Sequence, residues 1–334
     1  MAIGLAGAML VVMPIGAYAQ GSQKERIEVL RGRLGEIAAS FPGKVGVLVR
    51  NVETGEETGV NADEQFPMAS TYKVAIMAQV FREAEAGRLK LDERVTLTAA
   101  DMRLGSGLLP YFNTRLSPTI HDLLLLMITV SDNVATDLLL KRVGAKNVTA
   151  MLRQMGIEGM RVDRSTEEII GDWLSAADAK FRGVSGAELA AHPEKFPSMT
   201  REQTEKADRA IVDDPRDHSS PRAMADLLTK IVKHQAAREK SCEDMLGIMQ
   251  QQQLRTRIHR YLENVTIASK NGTIGYVTND VGVLYAGKQH IVVSVFTLKA
   301  NAGVSSELAE ERIGRIARAA YEYFEDVSSE KQKN

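Results

Sequence analysis

The stretch FPMASTYKVAIMAQVF, Phe66 to Phe81, opens on a serine, places a lysine three residues later and continues as an apolar run. Its spacing predicts a helix over 71–88 with Ser70 at the start. Three residues is nearly one helical turn, so Ser70 and Lys73 project from the same face. Two readings fit. Ser70 can cap the backbone N–H groups of the first turn. Alternatively, a neutral amine takes the serine proton, burial or a neighbouring cation having lowered the lysine pKa, while the helix start offers N–H groups to a developing oxyanion. Ser-x-x-Lys is weak alone: Ser328 to Lys331 matches it too, in the C-terminal tail.

Working outward, the chain has 334 residues, 44% hydrophobic and 25% charged, with a formal net charge of −1. That excludes the charge signature of a nucleic-acid binder or of attachment to an anionic membrane. The six histidines show no metal-ligand spacing, and Cys242 is the single cysteine, so neither a zinc site nor an internal disulfide is expected. Cys242 reads as a buried small hydrophobe. Residues 2–16 are apolar and small, and Ala17-Tyr18-Ala19 fits a small-x-small cleavage site. Residues 1–19 therefore read as a secretory signal peptide, although no Lys or Arg precedes the apolar run. A periplasmic or secreted protein follows, with no stable membrane anchor.

Apolar positions at helical spacing predict a helix over 22–40, then two strands around a Thr-Gly turn in KVGVLVRNVETGEETGV. Helical segments are expected at 119–129, 132–143, 146–155, 220–232 and 305–325, strands at 264–270, 277–286 and 289–299, and a loop at 160–174. Residues 175–212 read as an inserted helical excursion. Strands at both ends with helices between them predict an α+β fold: an antiparallel five-stranded sheet from both chain ends, flanked by helices, plus an all-helical lobe. After the signal, residues 20–334 form one expected domain.

Two further stretches matter. ITVSDNVATDLLL holds Ser131-Asp132-Asn133 between helical runs, three good N-cap residues. TIASKNGTIGYVTNDVGVLY holds Lys270-Asn271-Gly272-Thr273, whose plain reading is an Asn-Gly hairpin turn. Each has a bland explanation, but their order and spacing with Ser70-x-x-Lys73 do not.

Together, over about residues 25–325, these motifs resemble the class A β-lactamases and their penicillin-recognising serine-hydrolase relatives. The resemblance implies β-lactam hydrolysis through an acyl-enzyme on Ser70, followed by deacylation by water. Lys73 is then a candidate base, and Ser131 relays a proton to the leaving nitrogen. Asn133 binds the substrate's side-chain amide and Lys270 attracts its carboxylate. Asn271 stands where the family has Thr or Ser, with the Thr273 hydroxyl nearby, and the N–H groups of Ser70 and Thr273 form the oxyanion hole. No cofactor is expected, and a monomer is. Deacylation in the family uses a glutamate in Arg-x-Glu-x-x-Leu-Asn. Here the text is DRSTEEIIGDW: Arg164 matches, but Thr166 stands two residues later. Read from the glutamate, Glu167 fits with a one-residue slip, Ile170 for Leu and Gly171 for Asn. Glu167 is the expected water activator, Glu168 the alternative, and two solvated carboxylates the plain reading. An Arg164–Asp217 ion pair is expected to clamp the loop. Related serine D-alanyl-D-alanine peptidases or esterases, and a slowly deacylating β-lactam receptor, are the alternative functions.

Overall fold

The computed structural model describes residues 22–112, 116–195 and 198–331, so the stretch read as a signal peptide lies outside the described residues. In chain order come α1 (Gln23–Ala39), β1 (Gly43–Asn51), β2 (Glu57–Val60), β3 (Phe66–Pro67) and α2 (Lys73–Glu85). The helices α3 (Ile120–Thr129), α4 (Asn133–Val143), α5 (Ala145–Gln154), α6 (Thr166–Ala177), α7 (Gly186–Ala191) and α8 (Arg201–Asp213) follow. Then come β4 (His218–Ser219), α9 (Pro221–Val232), α10 (Glu239–Gln250), β5 (Ile267–Ile274), β6 (Val277–Ala286), β7 (Gln289–Lys299) and α11 (Ser306–Lys331).

The five-stranded sheet runs β2-β1-β7-β6-β5, antiparallel throughout, and draws on both chain ends as expected. Its centre is β7, buried from Ile291 to Phe296, a near-continuous apolar run suited to a strand covered on both faces. Alternation sorts the side chains. Ile291, Val293 and Val295 join α1 and α11 in one core, while Val292 and Phe296 join the helical lobe in the other. Within that lobe, every residue of α2 from Lys73 to Phe81 is buried. A helix covered on all sides is a central pillar, and α2 is packed against α3, α4, α5 and α10.

Two local expectations are corrected. Residues 160–174 are not all loop: α6 begins at Thr166, started by a capping box in which Ser165 Oγ accepts from Glu168 N at 3.2 Å and the Glu168 carboxylate accepts from Ser165 N at 2.7 Å. Asn271-Gly272 is not a hairpin turn, because β5 continues to Ile274, with Asn271 opposite Asp280 and Gly272 opposite Asn279. The glycine serves close approach instead. A Cβ on Gly272 would lie 2.8 Å from Met68 O and 2.9 Å from Ser70 N, so only glycine lets this edge strand lie against the serine turn. In addition, α10 is a helix that sequence patterning leaves unassigned.

The excursion holds α7, α8 and short 3₁₀ turns at Ala179–Phe181 and Pro193–Lys195. Its neck is clamped as expected: Arg164 Nε donates to Asp217 Oδ2 at 2.7 Å, and Nη1 reaches Asp172 at 2.7 Å and Asp214 at 3.0 Å. Asp217, left-handed at φ 55°, also accepts from Met68 N through its carbonyl at 3.0 Å, so the clamp borders the serine turn. Removing the guanidinium strands a buried Asp217 carboxylate. Arg164→Ala is therefore expected to lower unfolding stability by about 3–5 kcal/mol. Urea denaturation checks it, and an unchanged midpoint would mean that the clamp adds nothing.

Candidate active site

Ser70 lies in a 3₁₀ turn, Ala69–Tyr72, that leads into α2. Ala69 before it has φ 45°, a conformation that costs a non-glycine residue energy and gathers at functional sites. The capping reading of Ser70 fails, since neither the turn nor α2 has a side-chain cap. The turn is fastened from below by Asn279, whose Nδ2 donates to Pro67 O at 2.9 Å and Met68 O at 3.1 Å while its Oδ1 accepts from Thr297 N at 3.0 Å.

The lysine one turn on is wholly buried. Its Nζ donates to Ser131 O at 2.8 Å, Ser131 Oγ at 3.1 Å and Asn133 Oδ1 at 2.9 Å, a full complement of three for an ammonium. Among the described residues no hydrogen bond joins it to Ser70. Burial pushes the Lys73 ammonium down to about 7, against the pull of Asp137 and Asp132. Lys270, also buried, approaches from β5 and donates to the same Ser131 Oγ at 3.1 Å and to Asn271 O at 2.7 Å. Burial and then the nearby Lys73 hold its pKa well below the ordinary lysine value. One hydroxyl thus stands between two amines whose proton affinities are both depressed.

Asp132 explains how Ser131 and Asn133 are freed for this. The capping reading holds for it alone: Oδ1 accepts from Ala135 N at 2.9 Å, starting α4. Its Oδ2 accepts from Leu108 N at 2.7 Å and Leu109 N at 2.8 Å, anchoring the loop that borders the cleft. Ser131 is left-handed at φ 58°. Asn133 Nδ2 donates to Leu104 O at 2.8 Å, so its amide joins the loop to Lys73.

Arg257 is the residue that motif reading missed. Buried, it donates from Nη1 to Gly272 O at 3.1 Å and Asn279 O at 2.8 Å, and from Nη2 to Thr273 Oγ1 at 2.6 Å. With its oxygen accepting from Arg257, the exposed Thr273 hydroxyl has its own proton to give to a ligand. Charge alone would not have singled out Arg257, one of 42 Lys and Arg residues.

Ser70 borders two hollows. One, of about 500 Å³, is lined mainly by residues with polar side chains, among them Ser106, Ser131, Gln252, Asn271 and Thr273, and is the more polar of the two. The other, of about 340 Å³, is largely apolar and includes Asn133, Thr166, Ile169, Ile170 and Trp173. Ser70, Lys73, Ser131, Asn133, Lys270, Asn271 and Thr273 therefore gather around one cleft. Glu167 and Glu168 are on neither wall. The Glu167 carboxylate lies 3.2 Å from Arg103 Nε and accepts from Gly186 N at 2.7 Å, while that of Glu168 closes the capping box. The residues of this segment that do face the cleft are Thr166, Ile169, Ile170 and Trp173.

A sequence model of the β-lactamase enzyme family matches residues 29–324. The chain belongs to the β-lactamase enzyme family. Among curated relatives, β-lactamase PSE-4 of Pseudomonas aeruginosa is 23% identical over 330 residues, 97% of this chain and 98% of the relative. Two solved structures agree. The β-lactamase of Sphaerobacter thermophilus DSM 20745 is 28% identical, with a TM-score of 0.68 over 87% of this chain and 95% of that one. An ancestral class A β-lactamase is 26% identical, with a TM-score of 0.70 over 88% of this chain and 99% of that one. The architecture of this β-lactamase is thus that of the class A enzymes.

The buried amine supplies a direct measurement. In protein carrying ¹³C-labelled lysine, the Cε resonance of Lys73, assigned through Lys73→Arg, is expected to titrate near pH 7. A midpoint near the ordinary lysine value of about 10.4 would show that three hydrogen bonds outweigh burial.

Proposed function

We propose that Ser70 is the nucleophile of this β-lactamase and that loss of the acyl group is its slow step. β-Lactam hydrolysis is the reaction of its family. The observation that carries the residue assignment is the convergence of Lys73 and Lys270 on Ser131 Oγ beside Ser70, where the free edge of β5 meets the serine turn.

A substrate carboxylate enters the polar hollow and pairs with Lys270, the Thr273 hydroxyl donating a hydrogen bond to it. Its negative charge favours a charged Lys270. Charge there disfavours charge on Lys73, so the second amine is neutral when substrate is bound. The Ser70 hydroxyl then gives its proton to Lys73 as Oγ bonds to the lactam carbonyl carbon, and the N–H groups of Ser70 and Thr273 receive the oxyanion. When the C–N bond breaks, Ser131 passes its proton to the nitrogen and takes one from Lys73. The products are an ester on Ser70 and a neutral amine, so protons balance. Asn271 lines the carboxylate side, and Asn133 lines the apolar hollow, its amide held between Lys73 and Leu104 O.

Release of the ester needs an activated water. The Glu167 carboxylate would have to leave Arg103 and Gly186 N to reach it, and Thr166, Ile169 and Ile170 occupy the wall instead. Neutral Lys73 is the remaining base, and an apolar wall holds water poorly. Outside the described residues, the 1–19 signal-like stretch supports export, and no helix among the described residues is long and apolar enough to cross a membrane.

With benzylpenicillin, intact mass spectrometry is expected to show one adduct per chain forming quickly and decaying slowly, absent in Ser70→Ala. The acylation rate is expected to rise about tenfold per pH unit below pH 7 and level off above it, because only the neutral amine accepts the proton. Turnover without any accumulating adduct would overturn the slow step, and adduct formation by Ser70→Ala would overturn the nucleophile.

A further inference from the structure

The inserted excursion reaches the cleft. Trp173 on α6 forms part of the apolar hollow, and its indole Nε1 donates to Asp208 Oδ1 at 2.8 Å. Asp208 belongs to α8, inside the excursion, and is buried. The same carboxylate abuts the opposite wall. A Cβ placed on Gly275, in the turn between β5 and β6, would lie 2.5 Å from Asp208 Oδ1, and Gly275 has φ 51°. Gly275 and Ile274 also line the hollow. One side chain of the insertion therefore touches both the helical wall and the sheet wall.

We propose that the Trp173–Asp208 strap sets which acyl substituents this enzyme accepts, admitting compact apolar ones and rejecting bulky polar ones. The proposal rests on acylation at Ser70. With the ring carboxylate in the polar hollow, the substituent on the other side of the lactam enters the apolar one. That space, about 340 Å³, lies near the lower limit for small-molecule sites. A benzyl group fits among Ile169, Ile170, Leu174 and Ile274. A longer substituent must part Trp173 from Asp208, and a polar one gives up hydration against walls that offer few partners. Losing the indole bond also strands a buried carboxylate beside Gly275, so displacement costs more than the contact itself.

The test compares benzylpenicillin with piperacillin, which share a nucleus and differ in the substituent, using second-order acylation constants from intact mass. The native enzyme is expected to favour benzylpenicillin by at least about tenfold. Trp173→Phe, which keeps a ring and removes only the donor, and Asp208→Ala are each expected to cut that ratio about tenfold, chiefly by accelerating piperacillin. Asp208→Asn, which keeps an acceptor oxygen, is expected to hold the ratio within about twofold. A misfolded variant loses both substrates together, whereas the proposal concerns their ratio, and Trp173→Phe carries the test where Asp208→Ala does not fold. Equal acylation of both penicillins by the native enzyme, or an unchanged ratio in Trp173→Phe, overturns the strap. Acylation of neither penicillin by the native enzyme overturns the Ser70 reading first, and the strap with it.

Discussion

An amine buried from solvent constrains the whole cleft. Lys73 is wholly buried, and the described residues provide no carboxylate in direct ion pair with it. An uncompensated buried charge is expensive, so the amine either sheds its proton or is surrounded by acceptors. This fold does both. Three oxygens from Ser131 and Asn133 take its hydrogen bonds, while Asp137 and Asp132 act from a distance to limit the loss of charge. Those oxygens arrive only because Ser131 is left-handed and because Asp132, between them, turns away to start α4. The three-residue motif is a division of labour: the central residue is structural, and its neighbours are turned to the amine.

The second constraint is proximity of two separately built layers. The serine turn opens the pillar helix of the lobe, while Lys270 and Thr273 lie on the edge strand of the sheet. Gly272 permits the approach by having no side chain, and Asn279 on the neighbouring strand secures it by donating across the gap to Pro67 O and Met68 O while its Oδ1 is held within the sheet by Thr297 N. Arg257 completes the seam by satisfying the carbonyls of Gly272 and Asn279. Among the described residues β5 thus keeps one edge unpaired by another strand, and that edge is where a ligand's carbonyl and carboxylate can be met.

The regular elements were legible because their signals are local. The strands Val277–Ala286 and Gln289–Lys299 have the boundaries expected from apolar runs between turns, and α9 starts where Ser220 precedes Pro221. The three motifs were legible by order and spacing. What escaped depends on distant partners. Asn-Gly signals a hairpin unless another backbone must approach it, and nothing near residue 272 reveals the serine turn. Arg257 and Asn279 act through contacts in space and carry no motif. The start of α6 is written locally in the Ser165-x-x-Glu168 capping box, but the same pair of glutamates also fits the family's loop motif, and the two signals compete for one stretch.

The orientation of Glu167 has a physical cause in Asp137. Its carboxylate lies one helical turn beyond Asn133 and accepts from Thr166 N and Thr166 Oγ1, both at 2.7 Å, from Arg103 Nε at 2.9 Å and from Glu167 N at 3.1 Å. An anion gripping the first N–H groups of α6 fixes that helix's rotation about its axis, a favourable arrangement at a helix start. With Thr166 held against α4, Glu167 is turned by about 100°, toward Arg103 and the first turn of α7. Bringing its carboxylate to the cleft by rotating α6 would break three hydrogen bonds to one buried group, and it would also unfasten the insertion. The same helix presents Ile169, Ile170 and Trp173 to the substrate side, so the rotation that withdraws a carboxylate from the acyl group also builds the apolar wall the insertion closes. The proposed slow release and the proposed selectivity of the pocket both follow from one helix orientation, set by one aspartate.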